Sequence, residues 1–101
     1  MTFAWDLWMA ITITMKSNLS LQRSREPQMV LPSSVRSMED LLRHLGEAID
    51  FVFLDAASGK LRPDIEVIVN GKEIWFYPEG LQILIHDRDS IEVTLIPLGG
   101  G

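Results

Sequence analysis

The sequence predicts an α+β domain in which one amphipathic helix crosses a single face of a small mixed sheet. Three observations carry that expectation. Ile11, Ile13 and Met15 alternate with Thr12, Thr14 and Lys16, the period-two pattern of a half-buried strand. Met38, Leu41, Leu42, Leu45 and Ile49 recur at the spacing that lines one face of a helix. Beyond that helix two more alternating runs, 65–69 and 90–96, supply further strands. A helix and a sheet can bury their apolar surfaces against each other in two layers.

In chain order, residues 17–27 form a polar loop and residues 28–31 a short second strand closed by Pro32. Ser37 is placed to cap the helix, with Asp40 three residues on in the reciprocal capping position. Glu39 and Asp40 suit the positive N-terminal end of the helix dipole. Gly46 either ends the helix in a left-handed conformation or sits inside it at a cost of about 1 kcal/mol. After an apolar run at 51–54 comes a loop over 55–63, turning at Ser58-Gly59. Ile65, Val67 and Val69 alternate with Glu66 and Ile68 and lead into Asn70-Gly71, a dipeptide that favours a type I′ hairpin. Residues 72–77 are expected to be the return arm. Trp75, Phe76 and Tyr77 cannot all face inward on a strand, so at least one is exposed or covered by a loop. Pro78-Glu79-Gly80 turns the chain into an apolar run over 81–85. In the last strand, Ile91, Val93 and Leu95 share one face, and Pro97 ends its pairing because it has no N–H.

Composition removes several functions. The 101 residues suit one domain able to bury roughly 60–70% of its unfolded surface. The absence of cysteine excludes a disulfide framework, thiolate zinc sites and a cysteine nucleophile, and it fits a cytoplasmic protein. Net charge is −5 with no concentrated basic face, so no nucleic acid is expected as a direct partner. The apolar N-terminus carries Asp6 and no early Lys or Arg, unlike a signal peptide, and no run reaches membrane-spanning length. Residues 1–9 are therefore read as an extension that includes Trp5 and Trp8, with Met9 an alternative start. Residues 10–97 form the domain and residues 98–101 a flexible glycine tail. His44 falls off the apolar stripe of the helix. His86, with Asp87 and Asp89, lacks the further ligands and glycine that a calcium loop needs, so no metal or bound cofactor is expected. No Ser/His/Asp arrangement has supporting context, and no catalytic residue is assigned.

The run Leu61-Arg62-Pro63-Asp64-Ile65-Glu66-Val67-Ile68-Val69-Asn70-Gly71, then Leu81, then 87–93 and Pro97-Leu98-Gly99-Gly100-Gly101, resembles the ubiquitin-like sulfur-carrier proteins. These comprise the small subunit of molybdopterin synthase, the ubiquitin-related modifier and the archaeal small modifier proteins. The resemblance is strongest after Arg62, and its order and spacing are more specific than any one piece. It implies a β-grasp fold. Two departures stand out: Asp87-Arg88-Asp89 occupies the place of an Asp-Gly-Asp turn, and three glycines end the chain where two are usual.

The resemblance further implies that Gly101 is the residue of adenylation, thiocarboxylate formation or conjugation. Pro97, Leu98, Gly99 and Gly100 would be the tail inserted into a partner. That partner would be a ubiquitin-activating-enzyme-like adenylyltransferase that uses ATP. Downstream, the resemblance implies the molybdopterin synthase large subunit, a tRNA thiolation enzyme, or target-protein lysines. The chain itself would be substrate and carrier rather than enzyme, as a synthase's small subunit can be. An α-carboxylate ionises at a pKa of about 3.3–3.7 and is a poor electrophile until activated. Glycine lacks a Cβ and can thread a narrow channel. Residues 98–101 fully extended reach roughly 13–14 Å. Ordering them costs roughly 1–2 kcal/mol per residue, which contacts of the domain body must offset. Three functions remain open: sulfur carriage, protein modification, and a binding module in which the glycines are incidental.

Overall fold

In the computed structural model, the described residues are 11–19 and 27–96. Five strands form one mixed sheet: β1 (Ile11–Ser17), β2 (Gln28–Leu31), β3 (Ile65–Val69), β4 (Lys72–Glu73) and β5 (Ser90–Leu95). Their spatial order is β2-β1-β5-β3-β4. The central β5 runs parallel to β1 and antiparallel to β3, and the outer pairs β1–β2 and β3–β4 are antiparallel. A single helix, α1 (Met38–Ile49), supplies the second layer.

The alternating patterns set the faces of the sheet. Ile13 and Met15 of β1, Ile65, Val67 and Val69 of β3, and Ile91 and Val93 of β5 are all buried. They join Met38, Leu41, Leu42 and Leu45 of α1 in one core that also contains Phe53 and Ile74. Burying each such side chain contributes about 1.5–3 kcal/mol. The last strand is fully buried at Ile91 and Val93, as its pattern predicts, whereas Leu95 is half-buried and Ile96 exposed where the strand runs out of the core.

Both ends of α1 have clear causes. Ser37 Oγ accepts the Asp40 N–H at 3.1 Å while Asp40 Oδ2 accepts the Ser37 N–H at 3.1 Å, closing the expected capping box. Asp40 Oδ2 also accepts the Arg36 N–H at 3.1 Å. These main-chain donors hold the Asp40 carboxyl below the usual aspartate range. Gly46 lies inside the helix, resolving the two options for it. The left-handed residue is Asp50, with φ of 54°. A Cβ on Gly46 would stand 2.5 Å from the Phe51 carbonyl oxygen, so close approach explains the glycine.

Asn70 and Gly71 both have positive φ, 51° and 82°, as a type I′ turn requires. The return arm departs from expectation. Pairing stops at Glu73, and Ile74–Phe76 wind into a 3-10 turn. That turn drops Ile74 into the core, leaves Trp75 and Phe76 63% and 67% exposed, and lets Tyr77 Oη donate to the Val69 carbonyl at 2.7 Å. The apolar run after Pro78 also departs from a strand. It begins as a second 3-10 turn, Gly80–Gln82, and touches α1's start through an isolated Ser37–Leu84 bridge. Residues 51–54 are extended, with one isolated bridge between Leu54 and Leu61.

Candidate functional site: the two ends of the central strand

β5 occupies the middle of the sheet, and side chains from its neighbours hold both of its ends. At the start, Asn70 Oδ1 accepts the Ser90 N–H at 2.9 Å while the Asn70 N–H donates to the Ser90 carbonyl at 2.7 Å. Asn70 Nδ2 donates to Asp89 Oδ1 at 3.0 Å, and Asp89 Oδ2 accepts the His86 N–H at 2.8 Å. On the other flank, Asp87 Oδ1 accepts the Thr12 N–H at 2.8 Å and the Arg88 N–H donates to the Thr12 carbonyl at 2.7 Å. The Asp87-Arg88-Asp89 segment therefore staples β5 to both β1 and β3. It does so without a glycine: Arg88 itself takes the left-handed conformation, φ 72°. His86 is exposed, with Nδ1 3.9 Å from Asp89 Oδ2, and His44 is half-buried on the flank of α1. Among the described residues no three His, Cys, Asp or Glu side chains converge as a metal site would require. No helix among them is long and apolar enough to cross a membrane.

At the far end of β5, Leu95 and Ile96 are held from both sides. Asn18 Oδ1 accepts the Leu95 N–H at 2.9 Å and Asn18 Nδ2 donates to the Leu95 carbonyl at 2.8 Å. Across the strand, the Ile96 N–H donates to the Asp64 carbonyl at 2.8 Å. Asp64 is anchored in turn by Arg62, whose Nε and Nη2 reach its two carboxylate oxygens at 3.0 and 2.6 Å. That bidentate guanidinium lowers the Asp64 pKa from the ordinary aspartate value. Arg62 also donates Nη1 to the Val52 carbonyl at 2.9 Å and lies 4.8 Å over the Phe51 ring. The residues 61–64 that carried part of the resemblance thus tie the loop over 51–63 to the place where β5 ends.

Pro97, Leu98, Gly99, Gly100 and Gly101, the residues expected to react or to enter a partner, lie outside the described residues, as do residues 1–10. What the structure defines is the platform from which they continue. Sequence patterns missed Asn18 and the paired roles of Arg62 and Asp64. The available signal was a carboxamide just past a strand, which is too common a feature to single out.

No protein-family model matches this sequence, and no curated protein matches it. Solved structures do. The Haloferax volcanii protein HVO 2177 superposes with a TM-score of 0.65 at 16% identity, covering 91% of this chain and 89% of that one. Small archaeal modifier protein 1 of Methanosarcina acetivorans gives 0.61 at 24% identity, covering 91% and 98%. Urm1 of Trypanosoma brucei gives 0.56 at 22% identity, covering 91% and 96%. With a five-stranded mixed sheet and one crossing helix, the chain has the β-grasp fold of ubiquitin-like proteins. The fold implied by the resemblance is the one observed.

Proposed function

We propose that this protein is a ubiquitin-like sulfur carrier in which Gly101 presents its carboxylate for activation. One observation carries the proposal: the central strand of a β-grasp sheet ends at Leu95, held on both flanks, and Leu98-Gly99-Gly100-Gly101 follows within a few residues. A rigid body that delivers a thin, side-chain-poor segment suits a carboxylate that must react inside another protein.

In this scheme a ubiquitin-activating-enzyme-like adenylyltransferase binds ATP. The Gly101 carboxylate attacks the α-phosphorus and pyrophosphate leaves. Sulfur at the oxidation level of sulfide then attacks the acyl carbon and AMP departs, leaving a C-terminal thiocarboxylate without net redox change. The carrier passes its sulfur to a molybdopterin synthase large subunit or to a tRNA thiolation enzyme. The chain contributes binding and presentation, and the partner contributes the catalytic groups.

The likeness to small archaeal modifier protein 1 favours a second reading, in which a lysine amine on another protein takes the place of the sulfur donor. Intact mass separates the two. With adenylyltransferase, ATP and a sulfur donor, the carrier reading expects one oxygen exchanged for sulfur at Gly101. Lysine-linked adducts would favour the modifier. Full biological activity after removal of Gly100 and Gly101 would overturn both and leave a binding module.

A further inference from the structure

We infer that Asn18 is a positioning residue whose carboxamide fixes the point at which the chain leaves the sheet after β5. The β1–β5 ladder runs in regular steps from Thr14–Ser90 to Ser17–Val93. There the main chain of β1 turns away, with Ser17 Oγ accepting the Leu19 N–H at 3.0 Å. Leu95 still turns its N–H and its carbonyl toward the departed strand. A single side-chain amide satisfies both, at 2.9 and 2.8 Å, acting as a substitute peptide group that adds one step to the ladder. On the β3 flank the matching last step is the Ile96 N–H to the Asp64 carbonyl, and the next main-chain donor in register, the Arg62 N–H, turns to the Phe53 carbonyl instead, at 2.9 Å.

The chemistry restricts which residue can do this. A carboxamide carries one donor and one acceptor group in a fixed plane, a carboxylate only accepts, and an aliphatic side chain does neither. Asn18 is exposed and outside the core, so its hydrogen bonds can be removed without opening a cavity. Losing them leaves Leu95 and Ile96 held from the β3 flank alone and loosens the end of β5. The functional consequence rests on the proposed carrier role: a loosened end of β5 presents Gly101 to the adenylyltransferase less effectively.

Two measurements separate the anchor from the role. Amide exchange in the full chain reads the anchor directly. In Asn18→Leu the Leu95 amide should exchange about tenfold faster, while Val93, paired with Ser17, is unchanged. Asn18→Asp, whose carboxylate can accept the Leu95 N–H but cannot donate to the Leu95 carbonyl, should leave Leu95 more protected than Asn18→Leu and less than the parent chain. Equal Leu95 exchange in the parent chain and Asn18→Leu would overturn the anchor. The second measurement is adenylation. In Asn18→Leu, kcat/KM should fall about tenfold, while the same substitution in a chain lacking Gly100 and Gly101 inhibits as well as its truncated parent. Adenylation of Asn18→Leu at the parent rate would overturn the presentation role. A parent chain that is never adenylated would defeat the carrier proposal, with the exchange data still deciding the anchor.

Discussion

At the scale of single residues, two backbone positions are decided by conformation and close approach. Arg88 holds φ at 72° with its side chain 93% exposed and only a 3.9 Å ion pair to Asp87, an arrangement that contributes little. A left-handed non-glycine residue costs roughly 1–2 kcal/mol, partly offset because glycine loses more freedom on folding. Arg88→Gly should therefore stabilise the protein by about 0.5–1 kcal/mol in urea unfolding; a loss of stability would mean the Arg88 side chain holds the turn. Gly46 behaves oppositely. Alanine is the better helix former by about 1 kcal/mol, yet its Cβ would meet the Phe51 carbonyl at 2.5 Å. The Phe51 N–H itself donates to the Gly46 carbonyl at 2.9 Å, so this stretch of backbone cannot yield cheaply. Gly46→Ala should cost about 1–3 kcal/mol, in the range of overpacked cores. A gain would show that the chain after α1 shifts freely.

At the scale of elements, the helix supplies the layer that covers the apolar face of the sheet. Leu42 lies at the centre of its apolar stripe and is 1% exposed. Leu42→Ala should cost about 2–5 kcal/mol, and a near-zero effect in chemical denaturation would contradict this helix phase. The helix start also ties stability to pH. Hydrogen bonds from Ser37 and Arg36 lower the Asp40 pKa, the Ser58 hydroxyl lowers that of Asp55, and Arg62 lowers that of Asp64. Each carboxylate therefore binds its proton less tightly folded than unfolded. The stability they contribute is fully present above the unfolded value of about 3.9 and is lost as pH falls through the lower folded values. Urea midpoints should be flat from neutral pH to about 5 and decline below about 4. Asp40→Asn should reduce the acid decline; a decline that begins well above pH 5 would show that groups other than these carboxylates carry it.

For the whole molecule, the folded body and the end proposed to react are expected to be separable. Among the described residues, the hydrogen bonds at the end of β5 are completed at Leu95 and Ile96 by Asn18 and Asp64. Deleting Gly100 and Gly101 should change unfolding free energy by less than about 0.5 kcal/mol while abolishing adenylation. A large loss of stability would show that the tail packs on the body, and the carrier proposal would then need another route for the carboxylate.

How far the sequence reaches follows from what local patterns encode. Period two in β1, β3 and β5 and the stripe of α1 determine which face of each element is apolar, because that depends only on neighbours along the chain. Ser37 with Asp40 and the Asn70-Gly71 pair were legible for the same reason. Residues 72–77 show the limit. Their aromatic content favours a strand, but burial of Ile74 winds the chain into a 3-10 turn after Glu73. Strand order, the parallel β1–β5 pairing and the Asn18–Leu95 contact lay beyond local patterns. The last joins residues 77 positions apart, and periodicity fixes the buried face without naming the partner that covers it. Only the assembled sheet, in which β1 ends before β5 does, leaves Leu95 facing a place that the Asn18 carboxamide fills.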